Sequence, residues 1–234
     1  MGATISILII ALWIFHGWSL LEFSVVDFAS PITYLRILIQ AYLSTGLFIT
    51  AHDAMHCSIS RYKSVNITFG TVACFLFAGM SFKKLLKNHI VHHKFPGTEQ
   101  DPDFYSRSQN FLLWFGAFMV RYTTLLQLVI IGALYNLLKM RYSELSLWIF
   151  WITPLWLATI QLFYFGTYRP HRLPHSHEMA PHNTRTLRKN HFWAMLSCYF
   201  FGYHLEHHTS PATPWWNLYK IKNSFAERTS SQKL

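Results

Sequence analysis

Three long apolar runs constrain this chain most, because each has the length that a helix needs to cross a lipid bilayer. Residues 3–21, 31–51 and 146–166 each approach the roughly 20 residues of a membrane-spanning helix. Only 13% of the 234 residues are charged, about half of the fraction typical of soluble domains. The sequence therefore predicts an all-α integral membrane protein. We expect one domain over residues 1–234, with a basic tail after about residue 218.

Two further apolar stretches are harder to place. If residues 64–82 crossed the bilayer, the histidine clusters before and after them would lie on opposite faces, so we expect an interfacial helix or a re-entrant hairpin there. Arg121 is costly at mid-bilayer, which places 111–120 at the interface and a crossing at roughly 122–138. The sequence thus predicts about four transmembrane helices plus interfacial helices, with a histidine-rich cap at one face.

The net charge of +10 comes largely from basic residues that border the apolar spans. They are Lys63, Lys83, Lys84, Lys87, Lys94, Arg169, Arg172, Arg185, Arg188 and Lys189. This distribution indicates a cytoplasmic face near anionic lipids, where an acidic electron-donor protein such as a ferredoxin could also dock. It does not favour nucleic acid, which calls for a basic soluble domain with stacking aromatic residues. Lys139 and Arg141 fall on the opposite side, as an exception to the charge rule.

Eight of the fourteen histidines stand in three tight clusters. The clusters are His52 and His56; His89, His92 and His93; and His204, His207 and His208. The first pair has the i,i+4 spacing of one helix face. The other two share the pattern HxxHH, from which we expect three rings that point to one place. Cysteine contributes little, because Cys57, Cys74 and Cys198 form no CxxC pair, and this sparse set suits a reducing compartment.

Eight neutral nitrogen ligands are too many for one metal ion and fit two. Structural zinc would take four ligands, commonly with cysteine, and a two-metal hydrolase would use bridging carboxylates. A nearly all-histidine pair favours two iron ions that react with O2 and an external electron donor, although zinc could occupy the site in purified protein. We expect Asp53 and Glu206, inside the clusters, to orient imidazole N–H groups.

The scattered histidines are better explained as structural residues. They are His16, near a membrane edge, and His175, His177, His182 and His191, in a polar segment. A histidine-rich metal-scavenging tract does not explain the three clusters, which are spread over the chain and each adjoin an apolar segment. A metal transporter or electron carrier stays open as a non-enzymatic alternative, although histidines at helix ends on one face favour an active site.

Four motifs in order carry a family resemblance. They are HDAMH at 52–56, NHIVHH through PGTEQDPDF at 88–104, FGTYRPHR at 165–172, and FGYHLEHH at 201–208 followed by PWW at 214–216. From about residue 40 to 218 the chain resembles the membrane fatty-acid desaturase and alkane hydroxylase superfamily, and more closely its β-carotene ketolases. The resemblance implies a ninth metal ligand, His171, with Thr167 in a position to hold a water near the metal. Cys57 replaces a small glycine that is usual in the family.

The resemblance also implies an activity. The expected reaction introduces a keto group at C4 of the β-ionone ring of a carotenoid, by two rounds of O2-dependent oxidation with iron. Carotenoid 3-hydroxylase is the nearest alternative, followed by another desaturase or alkane hydroxylase of the same kind. The sequence does not identify the residues that bind the substrate.

Overall fold

The computed structural model describes residues 1–231 and contains no strand in that range, which confirms the predicted all-α fold. Its helices are α1 (Gly2–Phe23), α2 (Pro31–Met55), α3 (Lys63–Ala78), α4 (Phe82–Lys94), α5 (Phe111–Tyr122), α6 (Leu125–Lys139), α7 (Glu144–His171), α8 (His191–Cys198), α9 (His204–Thr209) and α10 (Leu218–Ser231).

Three unbroken helices are long and apolar enough to cross a membrane: α1, α2 and α7, with 22, 25 and 28 residues. At one end of this bundle Leu20 of α1 packs with Ile37 of α2 and Phe150 of α7. At the other end the start of α1 lies against Ile59, just beyond the end of α2. Therefore α1 runs antiparallel to α2, and α7 runs parallel to α2. The ends of α2 and α7 meet on the side that carries the histidines.

Two bent helix pairs complete the apolar part. α3 and α4 meet at 103°, after Gly79 takes the left-handed conformation that ends α3 (φ 63°). α5 and α6 meet at 87°. Depending on whether each bent pair counts as one span, the described residues contain three to five candidate spans, a range that includes the predicted number of about four.

The bend after α3 is compatible with a re-entrant element at 64–82. The 16 residues of α3 cover about 24 Å, less than the roughly 30 Å of a hydrocarbon core. α4 then leads back to the end of α2, where the first two histidine clusters meet. α6, at the predicted crossing of 122–138, has only 15 residues and covers about 22 Å, so a full crossing there stays a prediction.

Lys139 and Arg141, the two basic residues at the end of the bundle opposite the histidines, are each paired with an acidic residue. Arg141 Nη2 lies 2.5 Å from Glu22 Oε1, and Lys139 forms an ion pair with Glu144. These pairs explain how the far end carries two cations against the positive-inside tendency, because their charges are locally compensated.

Helix α7 contains two wide π-helical turns, Trp148–Ile152 and Tyr164–Tyr168. Each one ends just before a proline, Pro154 or Pro170, whose missing N–H removes one regular α-helical hydrogen bond. The second turn contains Thr167 and leads directly into His171. Such π turns recur at functional sites because they redirect a few side chains without ending the helix.

Candidate metal centre

Nine histidines converge at the common end of α2, α4, α7 and α9, and they form two groups. Group A contains His52, His56, His89, His93 and His207. Group B contains His92, His171, His204 and His208. Within each group the ring nitrogens that could bind a metal all lie within 4.8 Å of one another. The nine are the histidines that motif spacing and the family resemblance had singled out.

Each HxxHH cluster divides its rings between the two groups, so the expectation that three rings point to one place is wrong. In cluster 89–93, His89 and His93 belong to group A, whereas His92 belongs to group B. In cluster 204–208, His204 and His208 belong to group B, whereas His207 belongs to group A. The reason is helical geometry: residues four apart differ by about 40° around the axis, whereas neighbours differ by about 100°.

The nitrogen distances fit a metal at the centre of each group. In group A, Nε2 of His56 lies 2.7 Å from Nε2 of His89, and Nε2 of His93 lies 2.9 Å from Nε2 of His207. In group B, His208 Nε2 lies 3.1 Å from His92 Nε2. Metal–nitrogen bonds of about 2.1 Å at right angles would place neighbouring ligand nitrogens about 3 Å apart.

Burial favours the neutral form of four of these rings, His56, His204, His207 and His208, and the neutral form is the one that binds a metal. His204, His207 and His208 are buried, and desolvation holds the pKa of each imidazole well below its ordinary value. Burial also lowers the pKa of His56 to about 4. The neighbouring histidines add to the effect, because several positive rings would repel one another. These four imidazoles thus offer their lone pairs at neutral pH. His92 differs: burial opposes its protonation, but the neighbouring Asp101 carboxylate raises its pKa above the ordinary value.

Asp101 orients a group B ring, and the sequence analysis did not assign it a role. Its two carboxylate oxygens each lie 3.0 Å from Nδ1 of His92, and it is buried. The backbone N–H groups of Gly97 and Asp103 donate to the same carboxylate. Burial opposes its ionisation, but the charge of His92 and these hydrogen bonds hold the pKa of Asp101 below its usual value. The Asp-Pro-Asp turn at 101–103 was the available signal.

His171 is held from its other side by the backbone. Its Nδ1 lies 3.0 Å from the carbonyl oxygen of Asn183, so Nδ1 carries the proton and donates it. Its Nε2 is buried and has no hydrogen-bond partner among the described residues. His171 is a member of group B. A buried unpartnered acceptor is costly, and a metal ion would satisfy it.

The two carboxylates inside the histidine clusters make contacts other than those expected. Asp53 Oδ1 lies 3.8 Å from Nδ1 of His52, too far for a hydrogen bond, while Oδ2 accepts from the N–H of Trp215. Glu206 accepts from the Thr186 hydroxyl at 2.8 Å and from Lys222 at 3.4 Å. Both carboxylates therefore fasten the cap: Asp53 holds the Pro-Trp-Trp segment, and Glu206 holds α9.

The remaining histidines stay outside both groups. His16 Nδ1 lies 2.7 Å from Gln40 Oε1, between α1 and α2. His191 lies 2.9 Å from the Tyr203 hydroxyl, and His175 contacts the backbone carbonyl of His171 at 2.9 Å. The ring centroid of His182 is 5.7 Å from that of His208, and His177 begins a short 3₁₀ turn.

Cys57 is exposed as a free thiol and has a positive φ of 55°, a backbone conformation that suits the glycine that it replaces.

A cavity of about 490 Å³ begins at the metal centre and continues between α6 and α7. Its inner end is formed by His52, His89, His92, His204 and Thr167. Its walls then consist mainly of aromatic and aliphatic side chains. Lining residues extend along α7 back to Trp148, 19 residues before Thr167, which corresponds to about 28 Å of helix.

The outer part of this cavity faces the apolar flank of the bundle. Trp148 is 53% exposed and Trp156 is 47% exposed, although both are large and apolar. Leu128 on α6 lines the opposite wall and is also exposed. A long apolar molecule could therefore enter from the side that lipid would cover.

Comparison with known proteins gives consistent results. The fatty acid desaturase family matches residues 29–145 and 140–230. A β-carotene ketolase of Paracoccus sp. (strain PC1) is 39% identical over 189 residues, which are 78% of this chain and 76% of the relative. A zeaxanthin 4-ketolase of Chlamydomonas reinhardtii is 38% identical over 77% of this chain and 42% of its own length. A β-carotene 4-ketolase of Protosiphon botryoides is 37% identical over 87% of this chain and 55% of its own length.

Proposed function

Because this chain belongs to the fatty acid desaturase family and, within it, to the β-carotene ketolases, we propose that it is a di-iron, O2-dependent oxygenase. It converts the C4 methylene of the β-ionone ring of β-carotene or a related carotenoid to a ketone. The observation that carries this proposal is one continuous cavity, which leads from an apolar, exposed flank to a centre of nine histidines.

The reaction requires electrons from outside. Each oxygen insertion consumes one O2, two electrons and two protons, and releases one water. The first insertion gives an alcohol at C4; the second gives a gem-diol that loses water to become the ketone. A bound iron pair supplies the redox change by which O2 oxidises the C4–H bond. That bond is weak because the radical formed at C4 is allylic to the polyene.

The residues of the chain have three tasks in this scheme. The nine histidines hold two iron ions, and Asp101 fixes the His92 ring through Nδ1. The apolar walls of the cavity exclude bulk water and hold the rod-like polyene along α7. Thr167, buried beside the inner end of the cavity, is placed to hold a water close to the reacting carbon.

The proposal also covers the membrane location of the centre and the source of its electrons. We propose a single domain that spans the bilayer, with the centre at the cytoplasmic face, where an acidic donor such as a ferredoxin delivers electrons. Group A and group B each lack cysteine and carboxylate ligands. Zinc can replace iron in such a nitrogen site during overexpression, since the affinity order favours zinc over Fe(II).

The test is to determine the product and the metal content on one preparation. The full chain, purified from a β-carotene-producing host, should contain about two iron ions per chain and should yield 4-keto products by mass and absorbance. If all of the products were 3-hydroxylated and none carried a 4-keto group, the ketolase assignment would be contradicted. Turnover that persists without O2 would contradict the oxygenase chemistry.

A cavity variant separates substrate access from the metal centre. Thr159→Trp places a large ring in the middle of the lining on α7. We expect product formation to fall by about tenfold or more, because the polyene can no longer lie along the helix, while the iron content stays unchanged. Thr209→Trp, at an exposed position on the cap, is the control.

A further inference from the structure

A second cavity, of about 430 Å³, lies on the cap and is lined by four arginines. They are Arg169, Arg172, Arg185 and Arg188. Glu178 is the acidic member of its lining, so the wall carries four positive charges against one negative charge. Leu205 of α9 completes the wall. We call this feature the arginine cavity.

The charges of the arginine cavity are poorly neutralised. Arg188 pairs with Glu178 at 3.2 Å, but the two side chains are 84% and 80% exposed, and such a pair contributes little. Among the side chains described, those of residues 1–225, no ion pair involves Arg169 or Arg172. Arg185 donates to the carbonyl of Arg172 at 2.5 Å and to that of Pro174, so its position is fixed by the backbone.

The same cavity is joined to the metal centre by short connections. Arg172 directly follows His171, and the backbone N–H of Arg185 donates to the carbonyl of Pro170 at 3.0 Å. Thr186, in the cavity wall, donates to Glu206, which stands next to His207. The cavity wall is thus hydrogen-bonded to segments that carry ligands of both group A and group B.

We propose that the arginine cavity is the docking site for an acidic protein that carries single electrons. This inference rests on the proposed function, in which each oxygen insertion needs two electrons from outside. Carboxylates on the donor would pair with Arg172 and Arg188, because the planar guanidinium fork matches a carboxylate with two hydrogen bonds. Docking there places the donor beside the ligands of group B.

The other basic surface of the cap has a different character. Lys83, Lys87 and Lys94 lie along the exposed face of α4, together with Ile90, which is 59% exposed. This convex, amphipathic face suits anionic lipid headgroups. It also supplies a matched control, since a double charge reversal there changes the net charge by the same amount.

The experiment measures the binding of a recombinant acidic [2Fe–2S] ferredoxin to the full iron-loaded chain in phosphatidylcholine nanodiscs. The wild type is compared with Arg172→Glu/Arg188→Glu and with Lys83→Glu/Lys87→Glu. We expect the Kd of the arginine variant to rise about tenfold or more and to lose most of its dependence on salt. The lysine variant should stay within about twofold of the wild type. Iron content and helix content should be equal in all three.

Several outcomes would overturn the docking site. An unchanged Kd in the arginine variant would do so, and so would an equal loss in the lysine variant. If the arginine variant keeps its affinity for ferredoxin but loses binding to phosphatidylglycerol vesicles, the cavity is a lipid headgroup site. Failure of the proposed function looks different: the wild type would then bind ferredoxin with the expected arginine dependence but form no ketone.

Discussion

Group A and group B differ in what holds their rings in place. Group A has five histidines, of which three are only partly buried. Within the described part of the chain, no group A ring donates a hydrogen bond to a carboxylate or a carbonyl oxygen. Group B has four histidines, all of them buried. Two of them are held by a hydrogen bond through Nδ1: His92 to the Asp101 carboxylate and His171 to the carbonyl oxygen of Asn183. If each group holds a metal ion as proposed, group A would hold it through a larger number of rings, and group B through rings whose orientation is fixed.

The largest expected effect comes from removing a ligand from each group in turn. His208→Ala leaves three histidines in group B, and we expect the loss of about one metal ion per chain together with all detectable ketone formation. His56→Ala leaves four histidines in group A, so the metal content should stay near two while turnover drops. Metal analysis and product yield on the same samples test this. Equal metal loss in both variants would break the comparison between the groups.

An intermediate effect is expected at Asp101. Asp101→Asn keeps the size of the side chain but replaces the carboxylate that fixes His92. Loss of such a partner typically costs about 10–100-fold in metal affinity or activity. The rate of metal release to a chelator should therefore increase, and specifically for one ion of the two. Unaltered release would mean that group B does not depend on this carboxylate.

The smallest effect is expected at Asp53, although it stands inside a histidine cluster. Its carboxylate is 3.8 Å from the His52 ring and accepts a hydrogen bond from Trp215 instead. Asp53→Asn retains an acceptor oxygen, so we expect about 1 kcal/mol of lost stability and little change in metal release. Thermal unfolding and chelator kinetics distinguish this outcome from a role in holding the ring, for which metal release would change as much as in Asp101→Asn.

Much of the candidate metal centre could be predicted from the sequence, because helical spacing is a local property. The eight clustered histidines stand out by spacing, whereas His171 is implied only by the family resemblance. Their division into two groups could not be predicted, since it depends on how α4 and α9 face each other. Asp101 was missed because it reaches His92 through a turn of nine residues rather than through helical spacing.

The fold shows the same limit. The long helices α1, α2 and α7 could be predicted from hydropathy alone, because the bilayer requires about 20 apolar residues in sequence. The sharp bends after α3 and α5 could be suspected only indirectly, from the need to bring two clusters to one face and from the cost of Arg121. The cavity between α6 and α7 is formed by tertiary packing, so no local pattern indicates it.

The exchange of rings between the two HxxHH clusters also sets an order of assembly. When the chain has been synthesised only as far as α4, four members of group A are already present, whereas group B has His92 alone. His171 adds a second ligand, and only α9 supplies the last two. If the proposed metal ions bind, the first would therefore be able to bind group A before α9 has been synthesised. The proposed second ion would find all four rings of group B only after α9 has folded against α4.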